Sequence, residues 1–192
     1  MSGNVPLLKL VRQSQPAWIV ESFLESGNDF MLAMKNRGVV VGEYYNANKH
    51  TMVGLKTVQL MLEKYVRLTF SLEYKVTALY ADEFKERRPG AQEIRALAKR
   101  RGLIKPPAEI APLLRYRYPQ NSLGAETLLV MHEPIPDEFG VKRLLTLFED
   151  EGRDWLGSWC ALNLQELVWQ GCGFVFLAEE PTIHFQLVGN EG

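Results

Sequence analysis

The chain has 192 residues, 46% of them hydrophobic and 23% charged, with a formal net charge of −1, the composition of an ordinary soluble globular protein. No apolar run approaches the roughly 18 residues of a membrane-spanning helix, and the first residues lack the basic start and apolar core of a secretory signal. Two cysteines, Cys160 and Cys172, exclude a disulfide framework, so a reducing, cytoplasmic location is expected.

The net charge hides a segregation. Residues 85–117 carry ten basic and three acidic side chains, whereas residues 133–192 carry eleven acidic and three basic ones. Such a split marks either a face for an acidic partner or two regions that neutralise each other inside the fold.

In chain order, residues 5–11 read as a short strand with Pro6 near its start. Residues 16–34 read as helical, broken at Ser26, Gly27 and Asn28, with Lys35, Arg37 and Gly38 closing the second piece. Val39, Val40 and Val41 form a short buried strand, residues 46–50 a polar turn, and residues 51–65 a helix with Val58 and Leu62 on its apolar stripe. The clearest element is 66–77, where Val66, Leu68, Phe70, Leu72, Tyr74 and Val76 alternate with polar residues. That period of two predicts a long strand with one dry and one wet face, ending where the alternation fails at Ala78.

Residues 82–88 suit a helical turn. Pro89 opens a helix over 91–101, with Ile94, Leu97 and Ala98 inward and Gly102 as its stop. Pro106 and Pro107 precede a short helix through Leu114. Residues 115–118 look extended, and 119–124 form a loop where the domain would divide if it divides at all. A buried strand follows over 126–132. Asp137 caps an expected helix through Glu151, with Val141, Leu144, Leu145 and Phe148 inward and Gly152 as its stop. Residues 155–169, with Trp155, Trp159 and Trp169, read as a second, heavily buried helix or an aromatic anchor surface. Residues 174–177 and 183–188 read as a terminal hairpin around Glu179, Glu180 and Pro181. Without a regular βαβ rhythm, the expected fold is a single α+β domain over 1–192: a mixed, largely antiparallel sheet packed with several helices.

The sequence contains no phosphate-binding glycine loop, no GxGxxG turn, no HExxH, no GxSxG elbow and no CxxC pair, which weakens the commonest ATPase, dehydrogenase, zinc-protease and hydrolase readings. His132 and Glu133 end a strand, where acid–base chemistry is often presented, but neighbouring strand residues point to opposite faces. Cys172, between Gly171 and Gly173, lacks the basic neighbour that activates a thiol. His50 with Asn46 and Asn48 fits a polar helix entry, and His184 a solvent-facing strand position. The three histidines are too far apart for metal-ligand spacing, and no cofactor or metal is expected.

The sharpest lead is the basic segment. Arg95 and Lys99 share a helical face, Arg87 and Arg88 precede it, and Arg100, Arg101 and Lys105 crowd its exit. Arg115 and Arg117 alternate with Tyr116 and Tyr118, a combination suited to phosphate contact and base stacking. Two binding readings therefore use the same residues: a non-enzymatic regulator, assembly factor or accessory subunit that contacts an acidic protein, or a nucleic-acid-binding protein. A third places a small-molecule pocket near His132, Glu133 or Cys172. Self-association through the tryptophan-rich segment is compatible with each.

Overall fold

A computed structural model describes residues 18–22, 27–42, 58, 62, 72–84, 89–161 and 171–183. Among the described residues nine strands form one mixed sheet: β1 (Trp18–Glu21), β2 (Val40–Val41), β3 (Leu72–Tyr80), β4 (Thr127–Val130), β5 (Ile135–Pro136), β6 (Lys142–Asp150), β7 (Arg153–Cys160), β8 (Cys172–Leu177) and β9 (Thr182–Ile183). The helices are α1 (Gly27–Asn36), α2 (Ala91–Arg100) and α3 (Ile110–Arg117), and Val58 and Leu62 are also helical and wholly buried. The main sheet path is β1-β3-β8-β4-β6-β7-β2, with β5 paired to β6 and β9 to β3. The α+β expectation holds at that level. The sheet is less antiparallel than expected, because β4 runs parallel to β8 and β2 parallel to β7.

The centre of the sheet is dry on both faces, and its odd and even positions split accordingly. Val76, Leu128, Val130, Leu145, Leu147, Leu156, Val175 and Leu177 face one cluster with Phe30 and Met34 of α1 and Ile110, Leu113 and Leu114 of α3. Leu79, Leu129, Met131, Leu144, Cys172, Phe174 and Phe176 face a second cluster with Ile94 and Ala98 of α2. Each helix thus buries one stripe against a sheet whose faces are both apolar.

This arrangement explains where the expected elements differ. The alternation in β3 stops at Thr77, yet the strand continues to Tyr80, because Thr77 and Leu79 pass beneath the second cluster and lose contact with water. Residues 66–71, the start of the expected strand, lie outside the described residues. So do 5–11, 46–50, 162–170 including Trp169, and 184–188.

The expected helices over 137–151 and 155–169 are instead, through Cys160, the hairpin β6–β7, paired from Arg143↔Cys160 to Asp150↔Arg153. Leu144, Leu145, Thr146 and Leu147 are all buried, so a strand covered on both sides mimics the helical spacing of Val141, Leu144, Leu145 and Phe148. Trp155 and Trp159 still share a face, since four is a multiple of two. Trp155 stacks on Phe148 across the strands at 5.7 Å between ring centroids. Cys160, which lies inside the expected heavily buried helix over 155–169, is only half-buried on β7.

Glu151 and Gly152 make the turn, with φ of 50° and 72°. A two-residue hairpin loop with both residues in the left-handed region is the type I′ turn that favours Asn-Gly. Glu151→Asn is therefore expected to stabilise the protein by about 0.5 kcal/mol. The lost contact to Arg153, at 3.5 Å between exposed groups, contributes little. An unchanged or lowered urea midpoint would contradict this account of the turn.

Three further expectations change. Trp18–Glu21, placed in a helix by its apolar spacing, is the strand β1 paired antiparallel with β3. Arg115, Tyr116 and Arg117, expected extended, form the last turn of α3. Finally, β8 and β9 do not pair as a hairpin. Both lie along the same edge of β3, with Val76↔Leu177 and Leu72↔Ile183 in register and residues 178–181 bulging between them.

Candidate binding face and cleft

Helix α2 forms where expected. Pro89 and Gly90 precede it, Glu93 accepts a hydrogen bond from the Gly90 N–H at 2.8 Å, and Gly102 ends it with φ of 74°. The inner stripe, Ile94 and Ala98, is buried on the sheet. The outward side chains of Arg95, Lys99 and Arg100 are exposed and make no ion pair with described residues. Arg101 differs, because it bridges to Glu83.

The rest of the basic segment divides. Arg87 and Arg88 lie outside the described residues. Lys105 meets Glu133 at 2.9 Å, with both side chains largely in water. Arg117 is exposed at the end of α3. Tyr116 is half-buried, with the Arg37 guanidinium 4.0 Å from its ring centroid and Arg37 Nη1 donating to its carbonyl at 2.5 Å. Tyr118 Oη donates to the Ile19 carbonyl at 2.9 Å, tying the chain after α3 to β1.

Arg115 was a surface candidate and is not one: its side chain is wholly buried. Its Nε donates to the Trp155 carbonyl at 3.1 Å, Nη2 donates to Gln120 Oε1, and Nη1 lies 3.1 Å from Asp154 Oδ1. Asp154 also accepts from the Gln120 N–H at 2.9 Å. Burial lowers the Arg115 pKa to about 10, against the pull of Asp154 and Glu149, so it stays charged at neutral pH. Its helical placement aims it into the hairpin, a direction the Arg-Tyr alternation did not reveal. Lys105–Glu133 and Arg115–Asp154 also show that the basic and acidic regions partly neutralise each other.

Beside the foot of α2 lies an open cleft of about 560 Å³, walled by residues 104–108 and 132–136, with Tyr74 and Leu177 also lining it. The Ile104–Leu177 backbone pair, bonded in both directions at 2.9 Å, fixes the first wall to β8. Pro106, Pro107, Pro134, Pro136 and Pro181 line it, which stiffens the walls and removes backbone donors. Behind it, Tyr74 donates a hydrogen bond to the buried carboxylate of Glu109. Burial pushes both groups up, the tyrosine further raised by Glu109 and the glutamate partly restored by the tyrosine's hydrogen bond.

His132 is 1% exposed. Its Nδ1 lies 2.7 Å from the Glu133 carbonyl and its Nε2 accepts the Leu145 N–H at 2.9 Å. That pattern fixes the neutral Nδ1–H tautomer, and burial lowers the pKa to about 4. Both nitrogens are committed to backbone, which suits a structural histidine rather than a proton carrier. Glu133 points the other way into water. Lys105, then Arg95 and Lys142, holds its carboxyl below the usual range. Cys172 is wholly buried at the start of β8, out of reach of a substrate. His50 and His184 lie outside the described residues.

Sequence reading missed Lys142, placed inside an expected helix, and the Asp137–Arg143 pair at 2.7 Å. Instead of capping a helix, Asp137 accepts the Phe139 and Val141 N–H groups, each at 2.8 Å, and shapes the turn into β6. Among the described residues no group of His, Cys, Asp and Glu could hold a metal ion, and no helix is long and apolar enough to cross a membrane. Compared with family models, curated proteins and solved structures, the chain matches none.

Proposed function

We propose that this protein is a non-enzymatic regulator, assembly factor or accessory subunit that docks an acidic protein partner on the outer face of α2. The carrying observation is a rigid helix, anchored by Ile94 and Ala98, that presents Arg95, Lys99 and Arg100 to solvent without ion pairs to described residues. Cations on a fixed scaffold, with no ion pair among the described residues, favour and orient an acidic surface. The enzymatic reading is weakened because His132 is bonded through both nitrogens and Cys172 is buried. The nucleic-acid reading is weakened because Arg115 is internal and Arg37 covers the Tyr116 ring.

The triple substitution Arg95→Gln, Lys99→Gln and Arg100→Gln is expected to reduce capture of a nuclease-resistant partner by about tenfold, with the unfolding temperature unchanged. Arg101 is kept because it bridges to Glu83. Equal capture by both forms would refute the docking face. Loss of all captured material on nuclease treatment would move the same residues to nucleic acid, whose binding falls steeply with salt.

A further inference from the structure

The inference that follows rests on α2 being the docking face. We infer that the acidic partner binds as a segment with an apolar residue among its carboxylates. The apolar side chain enters the proline-walled cleft, and a partner carboxylate takes the place of Glu133 against Lys105.

Three observations carry this. Lys105 forms the cationic side of the cleft's mouth, 2.9 Å from Glu133, and Arg95 and Lys142 also act on that carboxylate, so three cations surround the single carboxylate of Glu133. The Lys105–Glu133 pair is exposed, 56% and 80% for the two side chains, and exposed pairs of this kind exchange easily. The cleft, about 560 Å³, falls within the roughly 300–1,000 Å³ of ligand pockets. Because Pro106, Pro107, Pro134 and Pro136 offer no N–H, the segment is held by side chains and not by strand addition. Glu180 on the cleft lining disfavours a second acidic residue there and directs the partner's carboxylates toward Lys105.

The test is fluorescence anisotropy with a labelled nonapeptide of glutamates carrying a central leucine, against the same peptide with a central serine. Wild-type protein is expected to bind the leucine peptide about tenfold more tightly. Glu133→Gln is expected to tighten binding of both about fivefold and to steepen the salt dependence. Ala108→Trp, its folding checked by thermal melt, is expected to erase the leucine preference. Equal binding of the two peptides to wild type, or unchanged or weaker binding to Glu133→Gln, overturns the inference. If the peptides bind equally and the triple α2 substitution weakens both, the docking face stands and the cleft fails. If neither peptide binds, both proposals fail.

Discussion

Arg115→Met is expected to be the most destabilising single change at a charged residue, by about 3 kcal/mol. The methionine keeps much of the stem's volume but removes the guanidinium that joins α3 to both strands of the β6–β7 hairpin, through the Phe148 carbonyl on β6 at 3.5 Å and the Trp155 carbonyl on β7. It strands the Trp155 carbonyl, Gln120 Oε1 and the Asp154 carboxylate, which now meet in one buried place. Removing one member of a buried charged network typically costs about 3–5 kcal/mol. The lower end applies because the Asp154 side chain is 26% exposed and can be rehydrated. In a chain of this size such a loss lowers the unfolding temperature by roughly 10 °C. Arg115→Lys is expected to recover only part, since an ammonium cannot reach three directions with one planar fork. Calorimetry of the three proteins decides the matter: a change of less than 2 °C for the methionine variant would show that the guanidinium does not hold the hairpin.

The second large effect is on acid stability. Burial sets the folded pKa of His132 near 4, against about 6.5 in an unfolded chain. Between those values the unfolded state binds the proton and the folded state does not, so stability rises with pH through this window. The contribution is complete above about pH 6.5 and lost as pH falls toward 4, and a shift of this size corresponds to about 3 kcal/mol. Geometry gives the cause: a proton on Nε2 would oppose the Leu145 N–H, whose bond to that nitrogen is 2.9 Å.

Other groups bend the same curve. Hydrogen bonds from Arg143, Val141 and Phe139 hold Asp137 below its usual value despite its burial, so its stabilisation is lost at still lower pH. Glu109, raised by burial, acts in the opposite sense. Comparison with His132→Gln isolates the histidine, because the glutamine can accept the Leu145 N–H and does not titrate. The variant is expected to be less stable at pH 7, with the difference in urea midpoint shrinking or reversing by pH 4. A difference that stays constant across that range would refute the assignment.

Helix α2 was legible because its boundaries are local: Pro89 before it, Gly102 after it, and an apolar stripe that needs one neighbour. The inward face of β3 was legible for the same reason, since the buried Tyr74 and Val76 keep a period of two against the half-buried Glu73 and Lys75. The β6–β7 hairpin was not legible. Leu144, Leu145, Thr146 and Leu147 face apolar surroundings on both sides, and that removes the alternation by which a strand is recognised. The turn at Glu151 and Gly152 was the remaining local signal, and it also suited a helix stop.

For the candidate site, the sequence by itself determined the clustering of positive charge and its helical spacing on α2. Which cations reach solvent was decided only by tertiary structure: Arg115 turns inward because α3 packs over the hairpin, Arg101 is taken by Glu83, and Lys105 meets Glu133 across a cleft built from segments far apart in the chain. The physical reason is that helical periodicity needs only near neighbours, whereas sheet pairing, burial of a charge and the walls of a cleft depend on partners brought together by folding.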